Sequence, residues 1–550
     1  MNKRRLFINL RKRMNVWTIV SLTGAAVILL PILYVLSGLI RPANDNWETV
    51  KQFLLTDYVI GSLKLVLFTG FFATSIGVVL AWLVVGYTFP LRKWFRWALM
   101  LPLAVPPYIA AYTYATMTSY TGFIQATLRN QFDIQVTPGT IEVMSTRGAV
   151  FILTLFLFPY VFMIAKMFLE RQSAVYIENA RLLGHKRLSL FFNVVLPISR
   201  PAIIAGLMLV VFEVLSDYGV ANYFGVQTLS TAIFQTWFSM YDVDSAMKLA
   251  AWLMVVIVGI FVLERYLRRN QQYNTSMKQN KPLAPKPLKG AAAFGATAFC
   301  MIIFLLSFVI PVVQLIVWAT WTYEKMWSAD LLELTLNSLS GAAIATFVIL
   351  IFALLSARTV RTMSSWPAYL LTKLMTVGYA VPGAIIAIGV LAVCIQFDKW
   401  FSPIYASLGM GEGVLWLSTS LFMLLAGYVI RFMAAGYNAI ETGYDKIPRT
   451  YSEAARTLGH GPASTFFKVE LPLLKGSIVT GFILTFVEIV KELPITMLLR
   501  PFNFDTLAAR TYQFAIDERI YEAALPSLLL IGISLISVLC ILKIEKEKTR

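Results

Sequence analysis

A chain of 550 residues that is 58% hydrophobic and only 14% charged, with a mean hydropathy of +0.70, is not a soluble domain, in which about a quarter of residues carry charge. Its net charge of +18 does not point to nucleic acid, because Lys and Arg flank apolar runs instead of gathering on a soluble basic face, the positive-inside pattern of membrane proteins. Cys300, Cys394 and Cys540 all lie within apolar stretches and read as small hydrophobes, with no spacing of a metal site or a disulfide framework.

In chain order, Lys3, Arg4, Arg5, Arg11, Lys12 and Arg13 precede a first apolar run near 16–40. That run is too long for a signal peptide and no small-residue cleavage site follows it closely, so it is expected to be an uncleaved span with a cytoplasmic N-terminus. Runs near 58–86, 95–118, 148–169, 201–224 and 247–265 follow, each long enough to cross a hydrocarbon core of about 30 Å. Arg92, Lys93 and Arg96 stand after the second run, on the same side as the N-terminus. The polar, proline-containing stretch 268–290 has no helical periodicity and is expected to be a flexible cytoplasmic linker. Six more runs lie near 293–320, 336–357, 367–396, 415–437, 476–498 and 525–543. An even number of spans returns the C-terminus to the cytoplasm, in keeping with Lys543, Lys546, Lys548 and Arg550, while Asp242, Asp244, Asp517 and Glu518 fall in outward loops. The fold class expected is an all-α polytopic membrane protein of about twelve spans, divided into 1–267 and 291–550.

The two halves repeat in register. Tyr176-Ile177-Glu178-Asn179-Ala180-Arg181 returns as Tyr451-Ser452-Glu453-Ala454-Ala455-Arg456, 275 positions later. The same offset relates Gly184 to Gly459, His185 to His460, Phe191-Phe192 to Phe466-Phe467, Leu196-Pro197 to Leu471-Pro472, Pro107 to Pro382, Gly206 to Gly481 and Glu213 to Glu488. Because each half has an even number of spans, both copies share one orientation. That implies a pseudo-two-fold axis along the membrane normal with a pathway between the halves.

Each repeated block lies between the fourth and fifth spans of its half and is too polar to cross the membrane. Glu178, Arg181, Lys186 and Arg187 occupy one copy, and Glu453, Arg456 and Lys468 the other. The pattern is a short helix, a glycine, then a second helix closed by Leu-Pro. Gly184 and Gly459 permit a sharp backbone turn, the prolines suit the first turn of the next helix, and Glu178–Arg181 and Glu453–Arg456 are spaced as i,i+3 pairs.

These blocks resemble the signature of permease subunits of ABC importers: E-A-A, three residues, G, about eleven residues, then a hydrophobic residue and Pro. Here they read E-N-A-R-L-L-G and E-A-A-R-T-L-G, each with Leu-Pro at the expected distance, and Asn179 is the one departure. The resemblance implies two tandem six-helix transmembrane domains of the type I importer kind. It also implies an ATPase-coupling role for Glu178, Ala180, Gly184, Leu196 and Pro197, and for Glu453, Ala454, Ala455, Gly459, Leu471 and Pro472. The stretches 212–238 and 490–512 resemble the fused permeases of ferric iron uptake systems, related to others that carry thiamine or 2-aminoethylphosphonate. The implied partners are two ATPase subunits, a periplasmic or lipid-anchored solute-binding protein, and membrane lipid, with no nucleic acid, in a bacterial inner membrane. The chain has no G-x-x-x-x-G-K-[ST] phosphate loop. It is therefore expected to be a transport subunit and not an enzyme, with no bound cofactor of its own and with ATP and Mg on the partner subunits. His185 and His460, the only histidines, each follow a motif glycine, which suits local capping or docking better than catalysis.

Inside the spans, Glu213 and Asp217 are four residues apart, and Glu488 and Glu492 repeat them. That spacing puts each pair on one helix face, and ionisable groups in a span usually face a bundle interior or a water-filled cavity. All four are candidates for the translocation path. Glu213 and Glu488 are candidates for a transient ferric contact, since a hard trivalent ion favours oxygen donors. The bland alternatives are an interfacial position or internal pairing, for instance of Glu488 or Glu492 with Lys491. Pro106, Pro107, Pro382 and Pro494 are expected to break or kink their helices. Tyr108, Tyr112, Tyr114 and Tyr120 read as an interfacial aromatic belt before they read as iron phenolates. A secondary transporter with twelve spans is the main rival function, and a polytopic membrane enzyme the second. Neither needs paired Gly-turn-Leu-Pro blocks, and the enzyme would carry a large soluble loop or a charged catalytic cluster.

Overall fold

Backbone that enters hydrocarbon must satisfy its own hydrogen bonds, which leaves helices as the default. In the computed structural model, describing residues 16–42, 44–134, 136–137, 141, 143–172, 174–268, 283–362, 366–409 and 413–548, helix is the dominant element throughout. The one strand pair among the described residues is a two-residue parallel ladder of Tyr87–Thr88 with Lys286–Pro287. The basic N-terminal cluster and most of the 268–290 linker lie outside the described residues.

Ten helices among the described residues are long and apolar enough to cross a membrane, and two bent pairs bring the number to twelve. The bent pairs are the third and fifth spans of the first half: Arg92–Ala104 with Pro107–Phe132, turned by 88°, and Arg187–Ile198 with Arg200–Ser216, turned by 73°. The break at Pro106 is the one that proline is expected to make in the 95–118 run, whereas the run expected over 201–224 is corrected, its helix ending at Ser216. The first break sits at Pro106, which caps the helix beginning at Pro107. A proline offers no N–H to a preceding turn, so a helix starts there readily and does not run through from before it. The second half repeats this, with a 3-10 turn at Val377–Ala380 and a new helix, Gly383–Ser407, capped by Pro382. Pro494 likewise opens a short helix, Pro494–Leu499.

The chain packs as two units. One comprises Met1–Pro42, Ser328–Ala509 and Ile536–Arg550, the other Ala43–Trp327 and Arg510–Leu535. The core of the first is built from Ala329–Thr362, Leu421–Asp445 and Leu471–Val490. Small residues let these backbones approach: Gly436 lies against Ile349 and Gly481 against Ala439, as expected where packing, not water exclusion, holds helices together. The first span of the chain, Val16–Ser37, joins this unit, and its buried stripe of Ala25, Ile28, Ile32 and Val35 seats on Ala329–Thr362 and Gly383–Ser407. Ser21 and Thr359 share a buried hydrogen bond of 3.0 Å there. The second unit has the matching core of Leu55–Gly86, Thr146–Gln172 and Arg200–Ser216, with Gly77 and Gly206 both against Val161.

Candidate functional site

The two repeated blocks adopt the same local structure. The first helices are Ala174–Leu182 and Arg449–Thr457. Gly184 and Gly459 follow at φ +85° and +88°, where an L side chain is strained although no atom lies within 4 Å of an added Cβ. In each copy the histidine after the glycine meets a serine one turn on: His185 Nδ1 with Ser189 Oγ at 2.9 Å, and His460 Nδ1 with Ser464 Oγ at 2.8 Å. These are side-chain to side-chain bonds within the block, and neither second helix carries a side-chain cap at its start.

Leu-Pro does not close the second helix, and here the expectation is corrected. A π-turn precedes it in both copies, Phe191–Val195 and Phe466–Glu470. The N–H groups of Leu196 and Leu471 donate to the carbonyls of Phe191 and Phe466, five residues back. The wide turn comes one residue before a proline that has no donor to give. In the second copy the helix runs straight on as one span, Pro462–Val490, whereas in the first it bends by 73° after Ile198. The i,i+3 ion pairs also do not form among the described residues. Arg181 instead donates to the carbonyls of Gly86 at 3.2 Å and Ala284 at 3.0 Å, and Glu453 and Arg456 are exposed to solvent.

The remaining motif residues divide by face. Ala180 and Ala455 are buried against the body, Glu178, Leu196, Pro197 and Leu471 are half-buried, and Ala454 and Pro472 are exposed. Outward on both copies point Tyr176 and Tyr451, Leu183 and Leu458, Phe192 and Phe467, three large apolar side chains at matched positions. Leu182 and Leu188 are exposed beside them in the first copy, and exposed apolar groups gathered in this way are of the kind that protein contacts use.

Two of the four membrane carboxylates bond backbone at helix breaks, a role that sequence spacing does not suggest. Asp217 ends the helix Arg200–Ser216, and its carboxylate accepts from the N–H of Ala221 at 3.0 Å and of Val220 at 3.5 Å. Glu492 accepts from the N–H of Ile495 at 3.2 Å. Each therefore satisfies first-turn donors of the short helix beyond it, Gly219–Tyr223 or Pro494–Leu499. Glu488 is 43% exposed and pairs with Lys491 at 3.0 Å, the internal pairing weighed above. Glu213 is half-buried on the inner side of Asp217 in chain order. No group of three or more His, Cys, Asp or Glu is gathered as a metal site among the described residues.

Tyr108, Tyr112 and Tyr114 are buried, so the aromatic-belt expectation is corrected for them, while Tyr120 is exposed. Tyr108 meets Tyr512 edge-on at 5.8 Å, Tyr112 bonds Ser527, and Tyr114 donates to the carbonyl of Leu306 at 2.5 Å. Tyrosine inside a helical bundle fills volume with its ring and spends its hydroxyl on a neighbouring helix.

Two further carboxylates organise loops at span ends. Asp398, 1% exposed, accepts from the N–H groups of Leu417 and Ser418 at 2.9 Å, from Ser418 Oγ at 2.6 Å and from Tyr405 OH at 3.2 Å. An Asp-Lys pair just past the end of an apolar run is its only signal in the sequence. Asp242 accepts from Asn44 Nδ2 and Ser245 Oγ, both at 2.7 Å. Burial pushes its carboxyl up, but these bonds outweigh burial and hold it below the usual carboxylate range.

The family model described as binding-protein-dependent transport system inner membrane component matches the chain twice, over residues 73–272 and 349–544. The Fe(3+)-transport system permease protein of Haemophilus influenzae is 24% identical over 463 residues, 84% of each chain. The sulfate transport system permease protein of Salmonella typhimurium is 30% identical over 36% of this chain and 70% of its own length. The molybdenum transport system permease protein of Escherichia coli is 32% identical over 29% of this chain and 68% of its own.

Proposed function

This chain belongs to the binding-protein-dependent transport system inner membrane component family, a multi-pass permease of the ABC importer class, and we propose that it supplies both permease domains of a ferric iron importer. The observation that carries this reading is duplication: two family segments in one chain, each with a glycine-turned block bearing the same exposed Tyr, Leu and Phe. Two blocks on one chain fit two ATPase subunits, one on each, and a single solute-binding protein on the opposite side. Both termini are then cytoplasmic, as the basic flanks of the first span indicate.

Ferric iron is supported by the relative from Haemophilus influenzae, whose alignment runs through both halves, whereas the sulfate and molybdenum relatives align with about a third of the chain. Acidic side chains in the fifth span of each half suit a cation better than an oxyanion. A bare trivalent ion needs oxygen donors in place of its water, held weakly enough to let it leave. Glu213 and Glu488 have this role in our reading, while Asp217 and Glu492 hold the helix breaks beside them. The second reading, an oxyanion importer, rests on the sulfate and molybdenum relatives. Reconstituting the chain with its ATPase and binding protein, and assaying uptake of ferric iron, sulfate, molybdate, thiamine and 2-aminoethylphosphonate in parallel, decides among them. Uptake of another of these without iron overturns the substrate assignment and leaves the permease assignment standing.

A further inference from the structure

The second block is tied to its spans by a buried charged cluster; among the described residues the first block has no such cluster, its Arg181 bonding the carbonyls of Gly86 and Ala284. Glu470, the last residue of the Phe466–Glu470 π-turn, is 5% exposed, and Arg358, near the end of Ala329–Thr362, is 4% exposed. Arg358 Nε lies 3.6 Å from Glu470 Oε2. Tyr444 OH, from Leu421–Asp445, donates to the same oxygen at 3.1 Å, and Ser452 Oγ, from the first helix of the block, donates to Oε1 at 2.9 Å. Arg358 also donates to the carbonyl of Pro462, at the start of the second block helix. Its guanidinium stacks over Trp17 at 4.3 Å and Phe466 at 4.7 Å. One carboxylate and one guanidinium thus join both helices of the block to three separate spans.

The repeat supplies the comparison. At offset 275, Tyr444, Ser452 and Glu470 correspond to Leu169, Ile177 and Val195. On the second span, Ser62 and Ser338 accept equivalent bonds from the N–H groups of Leu229 and Leu507, a register that sets Trp82 opposite Arg358. Trp82, Leu169, Ile177 and Val195 are all buried and apolar. Apolar packing slides at small cost, whereas a buried ion pair with fixed hydrogen bonds holds one geometry or breaks outright. The π-turn in which Glu470 sits is an element found frequently at functional sites. Arg358 Nη1, buried with no acceptor among the described residues, leaves a donor for a second arrangement of the block.

We propose that the Arg358–Glu470 cluster is a latch that makes the second coupling block move as one body with the inner ends of its spans, so that this block, not the first, sets how tightly ATP hydrolysis follows delivery of substrate. Arg358, Tyr444, Ser452 and Glu470 act as positioning residues. The proposal rests on the ATP-driven importer reading given above.

The test uses the full complex in lipid nanodiscs, with ATP hydrolysis measured without and with binding protein loaded with ferric ion. One variant copies the first half into the second: Arg358→Trp, Tyr444→Leu, Ser452→Ile and Glu470→Val together. A milder one, Ser452→Ala, cuts only the bond from the block to Glu470. In both, the ATPase subunits are expected to co-purify at the wild-type ratio. The stimulated-over-basal rate is expected to fall by roughly fiftyfold in the first and roughly fivefold in the second, within the usual range of coupling between sites. The mirrored control Val195→Leu is expected to keep the wild-type ratio. A merely structural cluster would lower the yield and leave that ratio unchanged. Wild-type stimulation in Ser452→Ala, or an equal loss in Val195→Leu, overturns the latch. A wild-type chain that recruits no ATPase overturns the importer reading, and the latch with it.

Discussion

Gly184 and Gly459, 275 positions apart, hold the same left-handed backbone, φ +85° and +88°, with open space where a side chain would stand. Steric crowding therefore plays no part at either site, and only backbone conformation resists substitution.

That separation gives a graded prediction. A β-branched residue in left-handed backbone costs about 1–2 kcal/mol, whereas Asn tolerates it. Gly459→Val is expected to impair ATPase docking and transport while Gly459→Asn retains both, and membrane insertion is normal in each. The pair at Gly184 should follow the same order, with the smaller loss, since its block carries Asn179 in place of alanine. Co-purified ATPase per permease, by quantitative gel, reads the outcome. Val and Asn variants that behave alike would remove the conformational argument.

Stoichiometry follows from the duplication. One copy of this chain is expected with two ATPase subunits in a complex extracted in mild detergent and weighed by native mass spectrometry. Two copies of the chain per ATPase pair would contradict the assignment of both permease domains to one chain.

Glu213→Gln with Glu488→Gln preserves shape and removes two formal charges. Ferric uptake is expected to drop by about tenfold or more, since few groups in the membrane replace the lost negative charge, with ATPase recruitment intact. Normal uptake in the double variant would falsify the role of these two carboxylates in the path.

Asp217 and Glu492 should behave differently, because they act on helix ends. Asp217→Ala or Glu492→Ala is expected to lower thermal stability by about 1 kcal/mol, the usual cost of losing a side-chain cap. Asn at 217 should recover most of it. Melting in detergent checks this, and a loss of iron uptake with unchanged melting would assign these residues to the path instead.

Asp242 offers a pH signature. Its folded carboxyl sits below the usual value of 3.8, so its contribution is present above that value and is lost as pH falls through the folded one. Asp242→Asn is expected to destabilise at neutral pH and to flatten the acid limb of the melting profile below about pH 4. Parallel acid limbs in the two proteins would show that the bonds from Asn44 and Ser245 carry no linked stability.

What the sequence determined by itself was whatever depends on local pattern or on repetition. Apolar run length marked the spans, because bilayer thickness leaves little choice of helix length. Proline placed the breaks at Pro106, Pro382 and Pro494, since a missing N–H is felt wherever the residue sits. The 275-residue repeat locates the blocks and their glycines from the sequence alone. Only the tertiary structure decided what depends on partners distant in the chain. Spacing of four suggested that Asp217 and Glu492 face a path, yet their oxygens turn to backbone N–H groups that a helix break exposes. Tyr112 looked like a belt residue until the bundle closed round it. Arg358 and Glu470 stand 112 positions apart in number and carry no local motif. A salt bridge is a matter of distance in space, and no period in the sequence encodes it.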